Sequence, residues 1–389
     1  MIIQSPYGTL RVWTGSVQIP LVESLEWMTD NFQSRNGLDY FSRMRNAPRQ
    51  FFTLTTQVKP DIRSKLLHLF QDALSNKWAI PDWREFQRVT LSAGATSVEV
   101  NGDYPGEGLA ILWKNFGNVE IVEFTRSGSV LNFSESLSGT WTNAFIMPLR
   151  IGRVIPTPSF RTVDSLTIFQ FKFQSDYNDN TLEEETDYEL VEKFKDIDFY
   201  DVCPLYSGTS GIRDNIVQKE EIFDSYTGLV DSYSPWLCSR QSRSFETVQH
   251  SKEELLELLR WLYRRAGSYR PFFTPSWTKD FTVLSTGLVE NTIDVEFSNY
   301  SSCHRNVSIR LKTGVWLNRE ISSIENIGGG ALRFTLNSPL NIQRSDIERM
   351  SYLRSYVLDS DKVDIRHLGN YESECTLKIK EIREYHGNS

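Results

Sequence analysis

Arg49-Gln50-Phe51, followed by Trp78-Ala79-Ile80-Pro81-Asp82-Trp83, has a counterpart in Arg243-Ser244-Phe245 followed by Phe272-Phe273-Thr274-Pro275-Ser276-Trp277. In both passages Phe to Pro spans 30 residues and Phe to Trp spans 32, and the two stand 194 residues apart in a chain of 389. Ordered recurrence at half the chain length is the mark of an internal repeat. Each passage brackets a helical pattern. Over 62–74, Ile62, Leu66, Leu69, Phe70 and Ala73 recur at helical spacing, and over 252–265 Leu255, Leu256, Leu258, Leu259 and Leu262 do so. Glu253 and Glu254 in the first turn and Arg264 and Arg265 in the last suit the helix dipole, with Ser251 and Pro60-Asp61 as starts.

The correspondence resumes downstream. Asn118-Val119-Glu120-Ile121 matches Asn318-Arg319-Glu320-Ile321, Leu131 and Phe133 match Leu332 and Phe334, and Trp113 and Trp316 precede each block. The offset drifts to about 201, as small loop insertions produce. Period-two alternation marks strands at 98–100, 118–124, 166–173, 293–297, 307–311 and 377–382. Ser127-Gly128-Ser129 and Gly328-Gly329-Gly330 supply turn chemistry between strands. The fold class expected is α+β and β-dominated: two similar modules, each an antiparallel β-sandwich or open barrel with one packed helix, joined by an acidic linker. The boundaries are 1–175 for the first module, 176–201 for the linker and 202–389 for the second. The linker starts Asp-rich but lacks the ordered spacing and glycine of a calcium loop; a short helix is expected inside it. The duplicated structural anchors of the two modules are Arg49, Phe51, Trp78, Pro81, Trp83, Arg243, Phe245, Phe272, Pro275 and Trp277.

Composition narrows the function. Apolar residues make up 39% and charged residues 24%, the balance of a folded globular chain. Aromatics reach 13%, which favours pleated sheets and partner surfaces. A formal charge of -8 opposes a role in gripping nucleic acid, and Arg260, Arg264, Arg265 and Arg270 read as a solvated or salt-bridged helix face. No apolar run reaches the roughly 20 residues that span a bilayer, and the N-terminus does not read as a signal peptide. Cys203, Cys238, Cys303 and Cys375 show no metal-ligand spacing and read as reduced thiols.

Catalytic patterns are missing. His68, His250, His304, His367 and His386 form no metal-binding spacing, and Cys303 beside His304 points to the opposite face of a strand. Gly208-Thr209-Ser210-Gly211 lacks the spacing of a nucleophile elbow, and 328–330 lacks the Lys-Ser/Thr of a phosphate loop. The chain reads as no enzyme, with no cofactor and no metal. Paired carboxylates for glycoside hydrolysis are a property of three dimensions and stay open at this point.

One further pattern is a resemblance. Leu25-Glu26-Trp27-Met28-Thr29-Asp30, then Gly37, then Arg45-Asn46-Ala47-Pro48-Arg49-Gln50-Phe51 resembles the opening of many tailed-bacteriophage tail proteins, with their W-x-T-D stretch, glycine and R-x-x-P-R-x-F segment. The stretch from Arg264-Arg265-Ala266-Gly267 to Trp277 is similar to their RRG-x-x-x-x-F-W-x-P-x-W segment, and Ser360-Asp361-Lys362-Val363-Asp364-Ile365 to their SD-x-V-E-L strand. The first copy lacks the Arg-Arg-Ala-Gly segment, and the second has Gln241-Ser242-Arg243-Ser244 where Pro-Arg would stand. The resemblance implies a structural component of a tail tip or baseplate, distal-tail-like. Such a protein is a ring or adaptor joining the tail tube to hub or fibre proteins, in a virion made in the host bacterial cytoplasm. A homo-oligomer is implied, a trimer of six similar modules or a hexamer. A receptor- or carbohydrate-binding tail module is the alternative, with Trp113, Trp141 and Trp316 as candidate sugar platforms.

Overall fold

The computed structural model describes residues 1–383 except 72–76, 103, 156–157, 165, 177–191, 203, 205–210, 225, 227, 229, 237, 298–302 and 370. Strands dominate, with two α-helices among the described residues. Eight strands form the spine: β1 (Leu21–Glu26), β2 (Arg49–Val58), β3 (Ser159–Val163), β4 (Leu166–Ser175), β5 (Arg213–Val217), β6 (Arg240–Gln249), β7 (Lys362–His367) and β8 (Ser373–Glu381). They pair antiparallel in the order β3-β4-β2-β1-β7-β8-β6-β5. The first half of the chain supplies the four strands 3-4-2-1, and the second half supplies 7-8-6-5 in the same relative order. One join, β1 against β7, pairs Leu21 with His367 through to Glu26 with Lys362.

The strands alternate faces. In β2, Phe52, Leu54 and Val58 point into a core with Phe169, Phe171 and Phe173 of β4, and helix α1 (Pro60–Gln71) closes it with Leu66 and Phe70. In β6 and β8, Phe245, Leu377 and Ile379 do the same beneath Leu258, Leu262 and Tyr263 of helix α2 (Lys252–Arg265). The Ser251 hydroxyl accepts the Glu254 N–H at 3.1 Å, an N-cap, and Ala266 ends α2 in the left-handed conformation. Leu25 and Trp27, from the first half, belong to the second half's core, so the halves interlock through side chains as well as backbone.

Each helix feeds a short buried strand. Trp78–Pro81 pairs antiparallel with the end of Trp141–Val154 and parallel with Gly8–Val12. Phe272–Pro275 pairs antiparallel with the end of Ile347–Leu358 and parallel with Ile197–Phe199. The sheets are therefore antiparallel apart from these two short parallel pairings among the described residues. The last of them amends the expected linker: 177–191 lie outside the described residues, but Ile197–Phe199 is sheet in the second half's core. Between the short strand and its long partner, each half inserts a small β-meander. The first is centred on Val98, Phe124, Leu131 and Ile146, and the second on Val295, Ile309, Phe334 and Met350. Gly128 and Gly328 to Gly330 lie at hairpin tips in them.

Candidate functional site

The ten anchors read from the sequence form five pairs. Trp78 and Phe272 hold matching places: Trp78 stands between Arg11 and Gly152, and Phe272 between Asp198 and Tyr356. Each ring meets its own helix, Trp78 stacked on Phe70 at 4.7 Å and Phe272 edge-on to Trp261 at 5.1 Å. Pro81 and Pro275 end their strands opposite Leu149 and Leu353, and the next amides, of Asp82 and Ser276, both donate to a backbone carbonyl at 2.9 Å. Trp83 meets Trp113 edge-to-face at 5.2 Å and Trp277 meets Trp316 at 5.5 Å, although Trp113 and Trp316 stand on strands of different rank.

Phe51 and Phe245 do not match. Phe245 faces the core, whereas Phe51 lies on the other face of the sheet under the Lys172 ammonium, 3.9 Å from its ring centre. Phe52 fills the core position, one residue later than the correspondence read from the sequence places it, and in a strand one residue reverses the face. The arginines differ as well. Arg49 is exposed, while Arg243 is buried and holds Asp214 through Nε and Nη2 at 2.7 and 3.0 Å.

The three segments that carry the resemblance, far apart in sequence, converge. The Asp361 carboxylate accepts the Ser268 N–H at 2.9 Å and the Thr29 N–H, and the Trp27 N–H donates to the Asp361 carbonyl at 2.9 Å. Gly267 sits between them at φ +71°. A Cβ there would lie 2.4 Å from Asp361 Oδ1 and 2.8 Å from Trp27 Cβ, so only glycine fits. Arg264 and Arg265 are buried rather than solvated, both donating to the Asp198 carboxylate. The reason is tertiary: Ile197–Phe199 returns beside the helix end and brings a carboxylate there.

Beside the β1–β7 join lies a buried polar cluster. His367 Nε2 is 2.8 Å from Glu23 Oε2, and Nδ1 is 3.0 Å from the Ser373 hydroxyl. Arg84 donates to Glu23 at 2.6 Å and grips Asp82 through two bonds of 2.9 Å; Arg150 also donates to Asp82, and Gln50 to Glu23. Burial works against the charged carboxylates, but the guanidiniums outweigh it: Glu23 is lowered to about 2 and Asp82 lies well below its usual range. Neither can serve as a general acid near neutrality. Ser373, His367 and Glu23 have the composition of a hydrolytic triad. However, Ser373 is 3% exposed and lies in the sheet between Gln249 and His367, so its hydroxyl is closed off from a substrate. The arrangement is a clasp that ties β1, β2 and the Trp83–Arg84 corner to β7 and β8.

Two other expectations change. Cys238 and Cys303, 65 residues apart, form a disulfide, because the fold brings together loops whose spacing in sequence gives no hint of it. Cys375 is a free thiol that burial pushes up to about 12. Trp141 and Trp316 are buried and offer no open stacking face; Trp113 is half-buried, its indole N–H donating to the Thr14 carbonyl at 2.8 Å. No helix is long and apolar enough to cross a membrane, and no group of metal-binding side chains occurs among the described residues. No family model matches the chain, and no curated protein matches it.

Proposed function

We propose that this chain is a structural component of a bacteriophage tail tip or baseplate, and that three copies close a ring of six similar modules. The observation that carries the ring is the pair of open edges. All five residues of β3 and all five of β5 are exposed, and among the described residues nothing pairs with their outer sides. By position in the two halves, β5 is the counterpart of β1 and β3 the counterpart of β7. The β1–β7 join inside one chain is thus a template for β5 of one copy against β3 of the next. Such a contact is head-to-tail, and a rotation that closes makes a ring. Unpaired edges invite this addition.

A second surface supports partners above or below the ring. Hairpins Thr29–Gln33/Asp39–Arg43 and Glu221–Asp224/Val230–Tyr233, one from each half, are tied by Arg35 to Glu221 at 2.8 Å. They expose Phe32, Tyr40, Ile222 and Phe223, an apolar patch suited to a neighbouring tube, hub or fibre protein. The duplication, the tail assignment and the virion location rest on the sequence repeat and the resemblance. The role is architectural, without catalysis or a cofactor. The test is the mass of the purified protein by light scattering with class averages by negative stain. A threefold ring with six lobes is expected; a monomer, or a ring of six chains, contradicts the reading.

A further inference from the structure

Beside the disulfide lies a cleft of about 340 Å3, in the size range of ligand sites. It is built by residues 36–37, 236, 238–240 and 303–306, strand residues 353–355 and the end of β8, and the Cys238–Cys303 bond ties two of those segments together. In a chain of net charge -8 its lining is cationic: Arg240, Arg305, Arg354 and Arg383 against Glu381. Two of the guanidiniums are committed. Arg240 pairs with Asp39 at 2.6 Å, and Arg354 donates to Gln241 at 2.9 Å and Glu381 at 3.4 Å. Arg383 donates to the Asn36 carbonyl at 3.2 Å, and among the described residues neither it nor Arg305 has a carboxylate partner. His304 adds no charge near neutrality, since burial and the neighbouring Arg354 hold it down to about 4.

The same cleft gathers unmet polar atoms. Ser355, which is buried, has a hydroxyl without a hydrogen-bond partner among the described residues, and so do Arg354 Nε and Asn306 Oδ1. Buried groups in folded proteins are nearly always satisfied, so polar atoms left over beside a cavity are positioned to be met by a polar group that enters it. Surplus guanidinium, together with the Ser355 hydroxyl and the Arg354 Nε–H, selects an oxyanion, which accepts several charge-assisted bonds from such forks, whereas Asn306 Oδ1 is an acceptor and takes no part.

We propose that this cleft is a binding site for a phosphate- or sulfate-bearing group, with Arg305 and Arg383 supplying the charge and Ser355 and Arg354 Nε further donors. The site lies within one chain, so it stands independently of the ring.

The test is calorimetric titration of the full chain at constant ionic strength with inorganic phosphate, sulfate and glucose 1-phosphate. Saturable binding is expected, weakened at least about tenfold by Arg305→Ala/Arg383→Ala and partly kept by Arg305→Lys/Arg383→Lys. Opening the disulfide with Cys238→Ser/Cys303→Ser is expected to weaken it too, because the loops lose their preorganisation. Arg63→Ala, on the exposed side of α1, leaves it unchanged, and melting without ligand checks that each variant folds. Tighter binding of the sugar phosphate identifies a group carried on a saccharide, and equal binding identifies the free anion. No saturable binding of any of the three, or equal binding by the double Ala variant, overturns the proposal.

Discussion

His367 lies 2.8 Å from the Glu23 carboxylate although 344 residues separate them in the chain. The contact sits on the register that pairs β1 with β7, and it makes the junction of the two halves a buried, charged feature rather than a flexible joint. A buried charge cluster is weak as a source of stability but costly to break from one side, because the abandoned partners stay desolvated.

Glu23→Gln keeps the shape of the side chain and removes its charge, leaving Arg84 with Asp82 as its only carboxylate in the cluster. A loss of about 3 kcal/mol in urea unfolding is expected. A loss under 1 kcal/mol would show that the cluster does not hold the seam.

The same cluster sets an acid limit. The folded carboxyls of Glu23 and Asp82 lie below their ordinary values of 4.5 and 3.8, so their stabilisation is full above those values and is lost as pH falls through the folded ones. For Glu23 the folded value is about 2, which corresponds to about 3 kcal/mol. The melting temperature is expected to hold from pH 7 to 5 and fall steeply below about 4.5, with a shallower fall in Glu23→Gln. Parallel curves for the two proteins would contradict the assignment.

Gly267→Ala introduces a Cβ at a left-handed residue pressed against Asp361 and Trp27. A destabilisation of at least about 2 kcal/mol is expected from the combined strain and clash. Thermal melting decides it, with Gly314→Ala, also left-handed but in open space, as the milder comparison.

The two arginine anchors should part company. Arg49→Ala, at an exposed side chain, is expected to stay within about 0.5 kcal/mol of the parent, and Arg243→Ala to lose about 2 kcal/mol by leaving its buried site empty and the Pro275 and Ser276 carbonyls without their donor. Equal effects in chemical denaturation would restore the matching role suggested by the sequence.

Much of the framework was legible because it is local. Phe51 to Pro81 and Phe245 to Pro275 each run through a strand, a helix and a short strand, and helical periodicity placed Lys252–Arg265 with its true ends. That Phe52 and not Phe51 fills the core position of β2 was not legible, since both are aromatic and only the sheet shows which faces the core. Partners far apart in sequence were equally hidden. Nothing near Arg265 announces Asp198, nothing near Cys238 announces Cys303, and His367 reads as a lone histidine until β7 lies against β1. Segments 25–30, 264–277 and 360–365 were visible separately as pieces of one resemblance; their meeting at Gly267 is a property of the fold.

The ring is tested most directly by blocking one edge at a time. Arg161→Pro spoils β3 and Asn215→Pro spoils β5, since proline at the middle of an edge strand removes a donor and disrupts pairing. Each variant alone is expected to be a folded monomer by light scattering. Mixed in equal amounts, they are expected to form a one-to-one dimer and nothing larger, because one intact β5 and one intact β3 remain to meet. Assembly of either variant alone into the parent's complex, or failure of the mixture to dimerise while the parent assembles, would contradict the head-to-tail pairing of β5 with β3.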